Sequence, residues 1–147
     1  MNEVETLYLD TSALLPYYRE EPSSQKVESL LQSIRPPVLI SDLTRVEFVS
    51  AISKWFRMGE ISESQANLLE NTFFKDIRTN LFISQPLTTR HYRQAEKWLS
   101  SRKTSLRTLD ALHLACCLYM GTEMVTCDTL LHNAATTFGI SSHFISS

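Results

Sequence analysis

Glycine and proline are scarce, with three and five in 147 residues. Loop-rich and low-complexity chains carry far more of both, so that class is excluded and long regular elements are expected. Cysteine is scarce too. Cys116, Cys117 and Cys127 are an odd number, two of them adjacent in a helical pattern, and their spacing fits neither a disulfide framework nor a zinc ribbon. His113 stands three and four positions before that pair, but small buried residues on an apolar helix are a simpler reading than a soft-metal site. No apolar run approaches the roughly 20 residues needed to span a bilayer. Residues 1–5 are acidic and lack the basic-then-apolar layout of a signal peptide. A cytoplasmic protein without membrane attachment is expected. A large charge excess is also missing: the net charge is −2, which excludes binding nucleic acid over the whole surface.

What is present reads as one domain, residues 1–147, with ordinary hydrophobic (43%) and charged (20%) fractions. Short apolar runs at residues 6–9, 38–40, 81–83, 123–127 and 143–145 predict strands. Between them lie helical patterns at 12–18, 24–33, 42–57, 62–78, 89–100, 108–120 and 130–138. Ser24 and Thr108 are expected as helix caps, and Ser62 with Gln65 as a capping box. Apolar residues surround most of the 42–57 helix, which predicts deep burial. Strands alternating with helices imply an α/β fold: a central, mostly parallel sheet of four to five short strands, with helices on both faces.

Two strands end alike. Leu7-Tyr8-Leu9 runs into Asp10-Thr11-Ser12, and Met124-Val125-Thr126-Cys127 into Asp128-Thr129. In an open parallel sheet, ligands bind outside the carboxyl ends of the strands, so both aspartates should face that crevice. Glu47 and Asp110 sit early in apolar helices and can point the same way. Each acid has a structural alternative. Asp10 and Asp128 suit helix N-caps, Thr44-x-x-Glu47 fits a capping box, and Asp110 suits the positive end of its helix. Those roles do not explain four acids together with no lysine or arginine among them. At about 5 Å and an effective dielectric of about 20, each pair repels by roughly 3 kcal/mol. A hard divalent cation, Mg²⁺ or Mn²⁺, relieves that with oxygen ligands, and points to phosphate chemistry. From Arg90 to Arg107, six basic residues face one acid, a local strip suited to a phosphodiester or, alternatively, a solvated helix face.

The segments Asp10-Thr11-Ser12-Ala13-Leu14, Glu47 within residues 43–51, Thr108-Leu109-Asp110-Ala111-Leu112-His113 and Val125-Thr126-Cys127-Asp128 together resemble the PIN-domain family. The compact, free-standing form most resembles the VapC-type toxins of toxin–antitoxin pairs. The resemblance implies a Mg²⁺- or Mn²⁺-dependent endoribonuclease acting on structured RNA such as transfer or ribosomal RNA. Asp10, Glu47, Asp110 and Asp128 would be catalytic, with Asp10, Asp110 and Asp128 holding the metal. Thr11, Ser12 and Thr126 would support these carboxylates or touch a phosphate. Arg102, Lys103 and Arg107 would grip the RNA backbone. A homodimer and a cognate antitoxin are implied partners. His113 is expected in the core or behind the acids. Rival classes are a housekeeping PIN nuclease for RNA maturation and a non-catalytic module in which the acids only cap helices. A phosphoacceptor receiver needs a late lysine, and the last is Lys103; an aspartyl phosphatase needs a second aspartate where Ser12 stands.

Overall fold

The computed structural model describes residues 6–147, so the acidic leader at 1–5 lies outside the described residues. The chain runs β1 (Leu7–Leu9), α1 (Thr11–Tyr18), α2 (Ser24–Gln32), β2 (Val38–Ser41), α3 (Asp42–Arg57), α4 (Glu63–Arg78) and β3 (Phe82–Gln85). It continues through α5 (Thr89–Ser101), α6 (Thr108–Met120), β4 (Glu123–Thr126), α7 (Thr129–Thr137) and β5 (Ser142–Phe144). The five strands form one sheet in the order β3-β2-β1-β4-β5, and all four pairings are parallel. The expected sheet was mostly parallel; it is entirely so.

Period-two alternation sorts the strand residues between two cores. Leu7, Leu9, Val38, Ile40 and Val125 pack with Ala13, Leu14, Val27, Phe48, Ile52 and Phe73 from α1 to α4. Tyr8 and Met124 point the other way, against Leu114, Cys116 and Cys117 of α6 and Leu131 and Ala135 of α7. Helices therefore cover both faces. All three cysteines are free, and Cys116 and Cys117 are buried packing residues.

Several local expectations change. The box at the start of α3 pairs Ser41 with Thr44 at its third position, not Thr44 with Glu47. Strand β2 extends one residue further than its apolar run, which brings Ser41 to the cap. Glu47 is thus left in the second turn with no capping duty. Nor is α3 deeply buried. Thr44, Phe48 and Ile52 form a single inward stripe, while Val46 and Phe56 are exposed. Ser23 and Arg107, not Ser24 and Thr108, occupy the caps of α2 and α6, and neither side chain bonds its helix. The Ser62–Gln65 box is present as expected. Gly121 closes α6 at φ 65°, a left-handed position that glycine tolerates without cost. Among the described residues no helix is long and apolar enough to cross a membrane.

Candidate active site

Strand order reverses between β1 and β4, the switch point of the sheet and the ordinary ligand crevice of such folds. Asp10 leaves β1 there and Asp128 leaves β4. Both are helix N-caps: Asp10 accepts from Ala13 N at 3.0 Å, and Asp128 accepts from Leu130 N at 2.9 Å and Leu131 N at 3.2 Å. Capping does not exhaust Asp10. Ser12 Oγ donates to its carboxylate at 2.8 Å, and Thr126 Oγ1 donates to Oδ2 at 2.7 Å. The same Thr126 oxygen accepts Asp128 N at 3.0 Å, and Ser12 Oγ accepts Cys127 N at 2.9 Å. Thr126 and Ser12 therefore join the two strand ends. Asp10 is buried, and burial pushes its carboxyl above the usual value despite the nearby His113 ring and these donors.

Glu47 reaches the site from α3. Its Oε1 accepts Thr11 Oγ1 at 2.7 Å and a short bond from His113 Nε2. Burial alone would raise this carboxyl, but the hydrogen bond and electrostatic pull of His113, with the Thr11 hydroxyl, bring it below its ordinary value. His113 projects from α6 and is buried; its Nδ1 lies 2.6 Å from the Tyr8 hydroxyl.

Asp110, in the first turn of α6, is half-buried and makes no hydrogen bond among the described residues. Burial and the negative charges of Asp128 and Glu47 push its carboxyl up, while His113 and Arg107 pull the other way. Asp128 and Glu47 thus act on Asp110, Asp10 is tied to Asp128 through Thr126, and Arg107, expected only as an RNA contact, also acts on Asp110. Arg102 and Lys103 are exposed at the α5–α6 turn. Arg102 closes α5 in the left-handed conformation at φ 55°. Arg90 stacks 3.6 Å over Tyr119 and Arg93 pairs with Glu96, so the upstream part of the strip is partly engaged within the chain.

The donor set is compatible with a hard divalent ion. It consists of carboxylate oxygens, and the Asp110 carboxyl carries a repulsion that a cation would relieve. A ready cage is not formed: no three His, Cys, Asp or Glu side chains among the described residues make a metal-holding group. Mg²⁺ commonly binds through one or two carboxylates, with waters and substrate phosphates completing its shell. Sequence reasoning missed Tyr8 and Ser41, the polar atoms behind His113. A tyrosine inside Leu7-Tyr8-Leu9 reads as core packing, and only the pairing of β1 with β2 brings Ser41 beside it.

No curated protein matches the sequence. Solved structures do. FitAcB from Neisseria gonorrhoeae superposes with a TM-score of 0.73 at 19% identity, covering 93% of this chain and 96% of that one. VapC20 of Mycobacterium tuberculosis, a sarcin–ricin loop cleaving toxin, gives 0.69 at 17% identity, covering 92% and 96%. VapBC2 from Rickettsia felis, solved bound to a DNA fragment from its promoter, gives 0.64 at 13% identity, covering 95% and 98%. At these identities the likeness establishes the fold. The family model for the PIN domain matches residues 7–136, and the chain belongs to the PIN-domain family.

Proposed function

We propose that this protein is a Mg²⁺- or Mn²⁺-dependent endoribonuclease and the toxin of a toxin–antitoxin pair. The observation that carries the reading is the placing of Asp10 and Asp128 at the switch point, joined through Thr126 Oγ1, with Asp110 beside them under the influence of burial, Asp128 and Glu47. Such a cluster is costly unless a cation or a phosphate-bound metal joins it.

Asp10, Asp110 and Asp128 are the proposed ligands. When bound, the ion supplies charge neutralisation at the phosphate and a lowered pKa for water. Glu47 Oε2 takes the proton of the attacking water. Thr11, Ser12 and Thr126 hold the carboxylates through the bonds described above. Arg107 sits where an RNA phosphate near Asp110 would meet it, and Arg102 and Lys103 extend the contact along the backbone. Hydrolysis by water leaves a 5′-phosphate and no cyclic phosphate.

Structured RNA is the proposed substrate, supported by the likeness to a sarcin–ricin loop cleaving toxin. An antitoxin partner is supported by the likeness to a Klebsiella pneumoniae toxin–antitoxin complex. For the proposed homodimer, Val46, Phe56, Met58 and Leu68 offer exposed apolar surface on α3, α4 and the turn between them. The rival non-catalytic module is favoured by one observation: Asp10 and Asp128 already cap helices, and the described residues form no three-residue cage. Calorimetric titration with Mn²⁺ separates the two. The nuclease reading expects saturable binding that Asp110→Asn weakens; absence of binding favours the module.

A further inference from the structure

Tyr8 is fully buried in β1, yet its hydroxyl meets three polar atoms: His113 Nδ1 at 2.6 Å, Ser41 Oγ at 2.9 Å and Thr44 Oγ1 at 3.5 Å. The direction of each bond follows from what each atom can do. The Glu47 carboxylate only accepts, so His113 Nε2 carries a proton toward Oε1. A neutral imidazole protonated at Nε2 has a bare acceptor at Nδ1. The Tyr8 O–H fills it. The Tyr8 oxygen then accepts from the Ser41 hydroxyl, and Ser41 Oγ in turn accepts Thr44 N at 3.4 Å. The chain Ser41, Tyr8, His113, Glu47 runs in one direction with every member satisfied.

The opposite arrangement is worse on two counts. An imidazolium donating from both nitrogens would turn the Tyr8 proton to Ser41 Oγ at 2.9 Å, and the Ser41 hydroxyl would then be left with Thr44 Oγ1 at 3.4 Å, beyond a good O–H···O bond. It would also hold a charged ring at 2% exposure.

We propose that Tyr8 and His113 are positioning residues for Glu47, which fix the neutral Nε2–H imidazole, pin Oε1 and leave Oε2 to face water and substrate. Oε1 takes two bonds, from Thr11 and His113, and Oε2 takes none among the described residues. Rotation of the carboxylate would break both bonds at once. The role given to Oε2 rests on the nuclease reading; the bonding order of Tyr8 and His113 stands apart from it.

The test has two arms. In the first, NMR of the full chain carrying ¹⁵N-histidine, in metal-free buffer near pH 7.5, reads the tautomer. The wild type should carry the His113 proton on Nε2, with Nδ1 as a hydrogen-bonded acceptor. Tyr8→Phe should move the Nδ1 resonance toward that of an unbonded nitrogen. A wild-type ring protonated at Nδ1 or at both nitrogens overturns the proposal, as does a spectrum unchanged by Tyr8→Phe. In the second arm, steady-state RNA cleavage with Mn²⁺ should fall about tenfold to a hundredfold in kcat for His113→Ala, with KM little changed. His113→Gln, whose amide N–H reaches toward the Nε2 position, should recover part of the loss. Equal losses in both variants, or a loss carried by KM, overturn it. A wild type that cleaves no RNA refutes the nuclease reading, and the NMR arm still decides the Tyr8–His113 assignment.

Discussion

The Thr126 hydroxyl donates to Asp10 Oδ2 at 2.7 Å, across 116 positions of sequence. That bond ties the carboxyl end of β4 to that of β1 and fixes where the two strand-end acids stand. Because Thr126 Oγ1 also accepts Asp128 N at 3.0 Å, one side chain governs both.

Thr126→Val keeps the shape and removes both interactions. It leaves Asp10 short of a donor and Asp128 N short of an acceptor, a cost of about 1–3 kcal/mol. At about 2–4 °C per kcal/mol for a domain near this size, the Tm should drop by several degrees. Thermal unfolding followed by circular dichroism checks this; an unchanged Tm would mean the link contributes nothing.

Asp10→Asn should go the other way. Burial raises the Asp10 carboxyl, so the folded state binds its proton more readily than the unfolded chain does. The ionised form therefore weakens the fold, fully above the raised folded-state pKa and not at all below the unfolded value near 4. The variant should melt above the wild type at pH 7, and the gap should close as the pH falls toward 4. RNA cleavage should be lost at the same time, the usual trade between stability and a strained site. A lower Tm at pH 7 with full activity would contradict both parts.

Arg102 combines strain with exposure. Its left-handed backbone suits glycine, so Arg102→Gly should stabilise the fold by roughly 1 kcal/mol. If its guanidinium grips RNA, the same change should weaken binding and reduce the salt dependence by about one phosphate contact. Melting curves and RNA titrations over a range of salt separate the effects. A stabler variant with an unaltered salt slope removes Arg102 from the RNA surface.

The sequence made the architecture legible because its signals agreed. Apolar runs of strand length alternate with helix-length patterns, and Asp10 and Asp128 each follow a buried strand at a turn. Glu47 was legible as an acid of interest, but not as a residue free of capping. That required β2 to extend to Ser41, which its short apolar run does not reveal. Tyr8 was hidden because burial and hydrogen bonding leave the same mark on a strand, an aromatic among leucines. Val46 and Phe56 misled for the opposite reason: apolar residues around a helix signal a contact without saying whether the core supplies it. The distant pairing of Tyr8 with His113 and of Thr126 with Asp10 depends on strand order, which no local pattern encodes.

The central claim is that Asp10, Glu47, Asp110 and Asp128 form one metal-dependent site for RNA hydrolysis. Incubating purified wild type and Asp110→Asn with structured RNA, in EDTA and in Mn²⁺, and mapping the ends of the products tests it directly. The account predicts discrete cuts with 5′-phosphate ends in the wild type with Mn²⁺, and none in EDTA or in Asp110→Asn. Cleavage that persists in EDTA, or in Asp110→Asn at the wild-type rate, would contradict it.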